Sequence, residues 1–251
     1  MSIAAFNLFL GVMSLIALIV FIALYFVKAG YGIFRTASWG AAISNKLAWV
    51  LMEAPVFLVM CWMWMHSERR FDPVILTFFV FFQIHYFQRA FVFPLLLTGK
   101  SKMPLAIMLM GILFNLLNGY MQGEWIFYLA PEGMYHSGWF TSAWFITGSL
   151  LFFAGMFMNW HSDYIIRHLR KPGDPTRLYL PQKGMYRYVT SANYLGEIIE
   201  WAGWAILTCS LSGLVFFWWT MANLVPRANA IWHRYREEFG SEVGARKRGF
   251  P

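Results

Sequence analysis

Seven long apolar stretches run through this chain of 251 residues, and short polar segments separate most of them. A bilayer core about 30 Å thick is crossed by a helix of roughly 20 mostly apolar residues. The stretches that approach this length cover residues 5–27, 47–65, 73–97, 103–120, 138–158, 194–210 and 211–225. The sequence therefore predicts an all-α, polytopic membrane protein with seven transmembrane helices.

The first stretch and the last two stretches are interpreted separately. The last two stretches follow one another without a polar loop, and Ser212-Gly213 is the only predicted break between them. One long final helix would instead give six spans. The first stretch has no Lys or Arg before it and is followed by Lys28, which is typical of a retained helix and not of a cleaved signal peptide.

The distribution of basic residues favours the odd number of spans. With seven spans, loops 28–46, 98–102 and 159–193 and the tail 226–251 share one side of the membrane, and they hold 3, 2, 6 and 6 of the 20 Lys and Arg residues. Cytosolic loops of membrane proteins carry such an excess. We therefore expect the N-terminus outside and the C-terminus in the cytosol. The net charge of +8 is then mostly a topology signal, and nucleic acid is not an expected partner.

Composition and missing motifs exclude several classes of protein. Of all residues, 59% are hydrophobic and 13% are charged, whereas a soluble domain carries about 25% charged residues. Cys61 and Cys209 are too few for a disulfide scaffold. The sequence contains no P-loop, no serine-hydrolase elbow and no histidine cluster of the kind that binds two irons. No repeat or linker divides the chain, so we expect residues 1–251 to form a single domain without a metal site.

Polar residues inside the predicted spans are the first candidates for function. An ionisable side chain at mid-membrane costs about 2.5–3.5 kcal/mol on insertion scales, so it is rarely incidental. The charged residues within the predicted spans are Glu53, Arg89, Glu197 and Glu200. All four lie in the predicted cytosolic half of their spans, and Asn159 and Asp163 share one helix face on the same side. This pattern predicts a polar cavity that opens to the cytosol, takes an anionic ligand and admits an apolar co-substrate from the lipid.

Structural roles compete with this interpretation. Arg89 and a nearby glutamate could form a structural ion pair, and the basic residues of loop 159–193 could anchor the loop to anionic headgroups. A carrier or channel would need polar groups along the whole crossing or interrupted helices near the midplane. Because the outer half of the spans is almost wholly apolar, a closed-ended pocket is favoured over a path.

Four segments resemble the signatures of the steroid 5α-reductase family. They read AWVLMEAP at 48–55, HYFQRAFV at 85–92, NWHSDYIIRHLRKPG at 159–173 followed by PQKG at 181–184, and YVTSANYLGEIIEW at 188–201. The resemblance extends from about residue 30 to 240, and residues 98–251 resemble the family's C-terminal, cofactor-binding part. Membership in this family implies seven spans as well.

The resemblance implies reduction of the 4-ene of a 3-oxo steroid by NADPH. It implies that Glu53 and Tyr86 hydrogen-bond the 3-keto oxygen, and that Trp49, Met52 and Arg89 line the substrate site. Hydride that arrives at the β-carbon moves negative charge onto this oxygen, where fixed donors in a dry site stabilise it. Glu53 can donate a hydrogen bond only when it is protonated. Met52 departs from the family, whose steroid-reducing members often have Gln there.

The resemblance also implies NADPH as cofactor and, because NADPH is cytosolic, an active site that faces the cytosol. Cations among the implied contacts suit the pyrophosphate and the 2′-phosphate. These contacts are Tyr31, Lys100, Asn159, Asp163, Arg170, Tyr179, Asn193, Glu197, Trp201, Arg227 and Tyr235. The implied protein is a monomer of the bacterial inner membrane or the endoplasmic reticulum, with membrane lipids and a steroid-like lipid as its partners.

Rival activities remain open within and beside the family. A long-chain 2-enoyl thioester or a polyprenal could be the acceptor in the same fold. Isoprenylcysteine carboxyl methyltransferases are similar small membrane enzymes that bind S-adenosylmethionine, but they lack the paired Glu53 and Tyr86. The several cations favour a cofactor rich in phosphate.

Overall fold

The computed structural model describes residues 1–28, 30, 32–34, 39–98, 101–169 and 178–249. Eight α-helices lie within these ranges and make up most of the described chain. They are α1 (Ile3–Phe26), α2 (Asn45–Met65), α3 (Pro73–Phe87), α4 (Phe93–Leu96), α5 (Leu105–Gly123), α6 (Ala143–Arg167), α7 (Ala192–Thr208) and α8 (Leu211–Phe239). Every stretch predicted as a span therefore coincides with helix over most of its length.

Five helical segments of the described chain are long and apolar enough to cross a membrane. They are Ile3–Phe26, Asn45–Met65, Pro73–Leu96, Leu105–Leu129 and Ala143–Arg167. Helix α7 has only 17 residues, and α8 carries Arg, Glu and His residues over its C-terminal part. A mostly helical chain with several candidate spans is thus confirmed, whereas the count of seven spans and their orientation stay predictions.

A small β-ribbon, which hydropathy did not predict, sets the starts of α2 and α5 side by side. Strands β1 (Ala42–Ser44) and β2 (Lys102–Pro104) pair antiparallel, with Ile43 opposite Met103. Met103 is buried and packs against Ala48 of α2 and Ile107 of α5. The fourth predicted span therefore begins too early, because residues 103 and 104 lie in the ribbon and the helix starts at Leu105.

One π-helical segment lies inside the third predicted span, and a second extends the helix of the fourth beyond its predicted end at residue 120. Gln88–Val92 joins α3 to α4, and Glu124–Leu129 continues α5. In the first segment the Phe93 N–H donates to the Gln88 carbonyl, five residues back. Pro94 follows directly, and its ring nitrogen cannot donate the regular α-helical hydrogen bond. Such wide turns often occur at functional sites.

Helices α7 and α8 are separated earlier than predicted. Cys209 follows α7 with φ 45°, a left-handed conformation that stops the helix. Ser210 then caps α8, because its hydroxyl accepts a hydrogen bond of 3.0 Å from the Gly213 N–H. The predicted break at Ser212-Gly213 is therefore wrong, since both residues lie in the first turn of α8.

The chain divides into two compact units. The first contains Met1–Ile3 and Ala29–Phe145, and the second contains Ala4–Lys28 and Ile146–Pro251. Most of α1 therefore belongs with the C-terminal half, and the Trp218 indole N–H donates to the Ser14 carbonyl at 3.2 Å. The single-domain organisation predicted from the sequence stays a prediction.

Candidate functional site

In the first unit, small residues on α5 let α2 approach closely. A Cβ atom at Gly111 would overlap the Met52 side chain, and one at Gly119 would lie 3.2 Å from Val59. Asn115 lies four residues from each of these glycines and therefore on the same face of α5. The face of α5 that contacts α2 thus carries one amide between two glycines.

Asn115 holds Glu53 on α2. Its side-chain N–H group donates to the Glu53 Oε2 atom at 3.1 Å and to the Met52 carbonyl at 2.7 Å. Asn115 is buried and Glu53 is partly buried. Because a buried amide fixed to the backbone has little freedom, the carboxyl group of Glu53 is held in one orientation.

Asn118, one helical turn further on α5, holds Tyr86 of α3. Its side-chain N–H group donates to the Tyr86 hydroxyl oxygen at 3.0 Å, and its own carbonyl accepts from Gln122 at 3.4 Å. Asn118 and Gln122 are fully buried, and Tyr86 is buried against Phe82. A hydroxyl that accepts a hydrogen bond becomes a better donor through its own proton. We call Glu53, Tyr86, Asn115 and Asn118 the α5 cluster.

The predicted substrate residues lie on α2 and in the π-helical segment after α3. The Arg89 guanidinium lies 4.9 Å from the ring centres of both Trp49 and Phe93, a cation–π geometry. The rings of Trp49 and Phe93 meet edge to face at 5.1 Å. The third residue, Met52, packs against Gly111 and in the apolar cluster around Ala48. Arg89 thus lies beside two aromatic rings, one of which belongs to the predicted substrate residue Trp49.

In the second unit, four glycines bring the backbones of α6 and α7 into contact. A Cβ atom at Gly155 would overlap the Glu200 backbone nitrogen, and one at Gly148 would overlap that of Leu207. On α7, Gly196 and Gly203 approach α6 equally closely. Small residues at such spacing allow close helix packing in membranes. The contact sets the last turns of α6 beside the first turns of α7.

Four polar residues meet where this contact ends, and we call them the α6–α7 cluster. The Asn193 side-chain N–H group donates to the Asp163 carboxylate at 3.2 Å, and its carbonyl oxygen accepts from the Tyr186 hydroxyl at 3.3 Å. Asn159 donates to the Asn193 backbone carbonyl at 2.9 Å. Three of the implied cofactor contacts, Asn159, Asp163 and Asn193, are thereby brought together.

Two features of this cluster bear on what it can bind. The Asn159 Oδ1 atom is buried and accepts no hydrogen bond from the described residues. Burial raises the pKa of Tyr186 well above its usual value, and the nearby Asp163 carboxylate raises it further. The phenol therefore stays neutral and remains a hydrogen-bond donor. An unsatisfied buried acceptor in a native structure calls for a ligand or water with a donor group.

The other implied cofactor contacts of this unit are spread over α7, α8 and the segment before α7. The Arg227 Nε–H group donates to the Tyr194 hydroxyl at 2.6 Å. Tyr235 is buried beside Leu180, and burial raises its pKa far above the usual value. Tyr179 is partly buried, as is Glu197, one turn beyond Asn193 on α7. Trp201 is 1% exposed, with its ring centre 4.3 Å from that of Phe216, so its side chain is part of the core.

Three implied contacts, Tyr31, Lys100 and Arg170, lie outside the described residues. The roles of all implied site residues stay predictions. The structure adds residues that sequence reasoning missed. Asn115, Asn118 and Gln122 are amides spaced three and four apart in an apolar helix, so a search for amides as well as charges would have found them. Glu124, buried and bonded to the Met1 amino group at 3.0 Å, was missed because the fourth span was predicted to end at residue 120.

Comparison with known proteins gives a consistent result. Residues 101–249 match the family model described as 3-oxo-5-alpha-steroid 4-dehydrogenase. The chain is 36% identical over 238 residues to a steroid 5-alpha-reductase of Gossypium hirsutum, which covers 93% of this chain and 91% of that protein. It is 40% identical over 220 residues to 3-oxo-5-alpha-steroid 4-dehydrogenase 2 of Sus scrofa, covering 86% and 83%.

A mouse relative extends the similarity. The chain is 36% identical over 240 residues to 3-oxo-5-alpha-steroid 4-dehydrogenase 1 of Mus musculus, covering 92% of this chain and 90% of that protein. The match to the family model includes most of the C-terminal half of the chain, and the relatives align with most of the chain. The chain therefore belongs to the 3-oxo-5-alpha-steroid 4-dehydrogenase family, the steroid 5α-reductases.

Proposed function

We propose that this protein reduces the 4,5 double bond of 3-oxo-4-ene steroids, with NADPH as the reductant. Its named relatives are steroid 5-alpha-reductases and 3-oxo-5-alpha-steroid 4-dehydrogenases, and the chain carries the carboxyl and phenol that such a reaction needs. The observation that carries the proposal is the pair of hydrogen bonds from Asn115 to Glu53 and from Asn118 to Tyr86. The two asparagines lie on successive turns of α5 and orient the Glu53 carboxyl and the Tyr86 hydroxyl.

In this proposal the α5 cluster binds the steroid carbonyl. Protonated Glu53 and the Tyr86 hydroxyl donate to the 3-keto oxygen, on which negative charge grows as hydride reaches the β-carbon. Donors already fixed by Asn115 and Asn118 need no reorientation at that moment, and such preorganisation favours the transition state over the ground state. Arg89, Trp49 and Met52 would contact the steroid rings.

The residues of the α6–α7 cluster fit a nicotinamide cofactor. Bound NADPH would supply the hydride. Asn159 offers a buried oxygen without a donor among the described residues, and a carboxamide or ribose hydroxyl group would satisfy it. Arg167, two turns further along α6, has a buried Nη1 atom without a partner among the described residues. A phosphate would complete the hydrogen bonding of this guanidinium, as charge-assisted contacts do.

We also propose the membrane arrangement that the charge pattern predicts. Helices α1, α2, α3 with α4, α5, α6, α7 and α8 would be seven spans, with the N-terminus outside and the C-terminus in the cytosol. NADPH would then reach the α6–α7 cluster from the cytosol, and the steroid would enter from the lipid. We further propose that the protein works as a monomer.

Product analysis tests the proposal. Purified protein in detergent is incubated with NADPH and a 3-oxo-4-ene steroid such as testosterone, and the product is identified by mass spectrometry. We expect a gain of two hydrogens and 5α stereochemistry. Glu53→Gln replaces an acidic O–H donor by a much weaker amide N–H donor that cannot give up its proton, so kcat should fall roughly 100-fold, the lower end of what a lost acid group costs, while the Kd for NADPH changes less than twofold. Glu132→Gln is the matched control, because Glu132 is exposed.

Three results would contradict parts of the proposal. An unchanged rate in Glu53→Gln would remove this carboxyl from the mechanism. Stabilisation by NADPH without any steroid product would move the acceptor to an enoyl thioester or a polyprenal. Stabilisation by S-adenosylmethionine and not by NADPH would reject the reductase chemistry, because a ligand raises Tm only if it binds the folded state.

A further inference from the structure

A pocket of about 320 Å³ lies in the second unit, where the last turn of α1 meets α8 and the C-terminal segment. Its volume is at the lower end of roughly 300–1,000 Å³, the range usual for small-molecule sites. The lining residues are Tyr25, Val225, Ala228, Asn229, Trp232, Arg246, Lys247, Arg248 and Gly249. Three of them are cations, and none is a carboxylate.

The C-terminal wall of the pocket is held in place by its backbone. The Lys247 N–H donates to the Tyr188 carbonyl at 2.9 Å, and the Lys247 carbonyl accepts from the Thr190 N–H at 2.9 Å. The Trp232 indole N–H donates to the Arg246 carbonyl at 3.0 Å. The Arg248 guanidinium lies 5.1 Å from the Trp232 ring centre. The cations of this wall are therefore presented by ordered backbone and not by a loose tail.

Two polar atoms of the lining are buried without a hydrogen-bond partner among the described residues. They are Nη1 of Arg246 and Oδ1 of Asn229. The ion pairs on this part of α8 join Arg234 to Glu237 and Glu238, and none in the described chain engages Arg246. A buried guanidinium N–H and a buried amide oxygen together call for a ligand that carries both an anionic oxygen and a donor.

On α8, this pocket lies on a different face from Arg227, a proposed cofactor contact. Val225, Ala228, Asn229 and Trp232 follow the three- and four-residue spacing of one helix face. Arg227 is two residues from both Val225 and Asn229 and therefore lies on nearly the opposite side of a helix with 3.6 residues per turn, whereas Tyr235, three residues beyond Trp232, lies nearer the side of the pocket. The anion that the pocket would bind is therefore not the one proposed for Arg227.

The surroundings of the pocket match a lipid better than a soluble anion. Tyr25 lies in the last turn of α1, a candidate membrane span that Lys28 follows. Ile22 and Leu18, three and seven residues before Tyr25, lie on the same face and are 51% and 43% exposed. An apolar strip therefore leads from the pocket along α1, where an acyl chain can lie.

We propose that this pocket binds the headgroup of an anionic phospholipid, in which Arg246 contacts the phosphate and Asn229 accepts from a headgroup hydroxyl. Phosphatidylglycerol has both groups. Lys247 and Arg248 add positive charge at the opening, and the acyl chains follow the exposed strip of α1. The proposal goes beyond the reductase activity and does not depend on it, since lipid binding is measured without turnover.

Native mass spectrometry and thermal unfolding of the delipidated, detergent-solubilised protein test the site. The probes are phosphatidylglycerol, phosphatidylcholine and glycerol 3-phosphate. We expect phosphatidylglycerol to bind and raise Tm more than phosphatidylcholine, and glycerol 3-phosphate to have no effect at the same concentration. Arg246→Gln should weaken phosphatidylglycerol binding at least tenfold. Arg234→Gln, which removes the same charge from an exposed position outside the pocket, should change it less than twofold.

Clear results would overturn the proposal. Equal binding of phosphatidylglycerol by the wild type and Arg246→Gln would reject the site, and equal losses in Arg246→Gln and Arg234→Gln would reduce it to general surface charge. An equal effect of glycerol 3-phosphate would reject the lipid as the source of the phosphate. If Arg246→Gln does not fold, Asn229→Asp serves instead. The negative charge that this variant adds to the pocket repels the phosphate and should weaken the same lipid at least tenfold, and unchanged binding would contradict the proposal.

Discussion

Asn118 should control the reaction through Tyr86. Its amide is fully buried and donates to the phenol oxygen at 3.0 Å, so Asn118→Ala frees the hydroxyl to rotate and removes the polarisation of its O–H bond. We expect kcat to fall about tenfold, which corresponds to ~1.4 kcal/mol of transition-state stabilisation. The Kd for NADPH should change less than twofold. Steady-state kinetics with a 3-oxo-4-ene steroid gives kcat, and ligand titration gives the Kd.

A double-mutant cycle separates this positioning role from a general structural one. If Asn118 acts through the phenol, adding Asn118→Ala to Tyr86→Phe should cost little more than Tyr86→Phe alone, because the group that Asn118 orients is already gone. Fully additive losses would mean that Asn118 acts independently of Tyr86. A fall in Tm that parallels the fall in kcat would assign the effect to packing.

At the scale of single residues, the sequence identified charged candidates but not every residue that hydrogen-bonds to them. Glu53, Asp163 and Arg89 stand out because ionisable side chains are rare in apolar helices. Asn115 and Asn118 were missed because an amide costs less to bury and gives a weaker signal than a charge. Only the fold shows that Asn115 lies beside Glu53, since 62 residues separate them in the chain.

The contact between α6 and α7 should tolerate no side chain at Gly155. A Cβ atom there would overlap the backbone nitrogen of Glu200, which cannot move like a flexible side chain. We expect Gly155→Ala to lower the free energy of unfolding by about 1–3 kcal/mol, the usual cost of overpacking. NADPH binding should weaken too, because Asn159 lies one turn further along α6. Thermal unfolding with and without NADPH measures both effects.

Gly11→Ala is the matched control for this helix contact. Gly11 also lies in a long helix, α1, but nothing lies within 4 Å of an added Cβ atom there. Alanine is the better helix former by about 0.5–1 kcal/mol, so Gly11→Ala should leave Tm unchanged or raise it. Equal losses in the two variants would show that the close approach of α6 and α7 is not the cause of the loss.

At the scale of elements, hydropathy predicted where helices lie but not how they end. A helix lets an apolar stretch satisfy the hydrogen bonds of its own backbone, which lipid cannot do. In the π-helical segments at Gln88–Val92 and Glu124–Leu129, a backbone N–H donates to the carbonyl five residues earlier. Because most residues there are apolar, this change of hydrogen bonding does not alter the hydropathy pattern. The break at Cys209 depends on a left-handed residue that is not glycine, so it could not be predicted from composition.

The arrangement of the whole chain in the membrane can be tested with cysteines placed on opposite sides. Seven spans put the loop between α5 and α6 outside and the segment after α8 in the cytosol. Glu132 and Ser241 are exposed positions in these two places. A chain without Cys61 and Cys209 serves as the background for Glu132→Cys or Ser241→Cys. Both variants are treated with a membrane-impermeant maleimide in intact bacterial spheroplasts.

We expect Glu132→Cys to react in intact spheroplasts and Ser241→Cys to react only after permeabilisation. Six spans, with α7 and α8 crossing as one, would place the C-terminal segment outside, and Ser241→Cys would then react without permeabilisation. The reason to expect the first result is the cost of moving six Lys and Arg residues of the tail 226–251 away from the side that cytosolic loops prefer. Charge bias fixes orientation only where the spans are correctly counted, so this measurement tests the number of spans and their direction together.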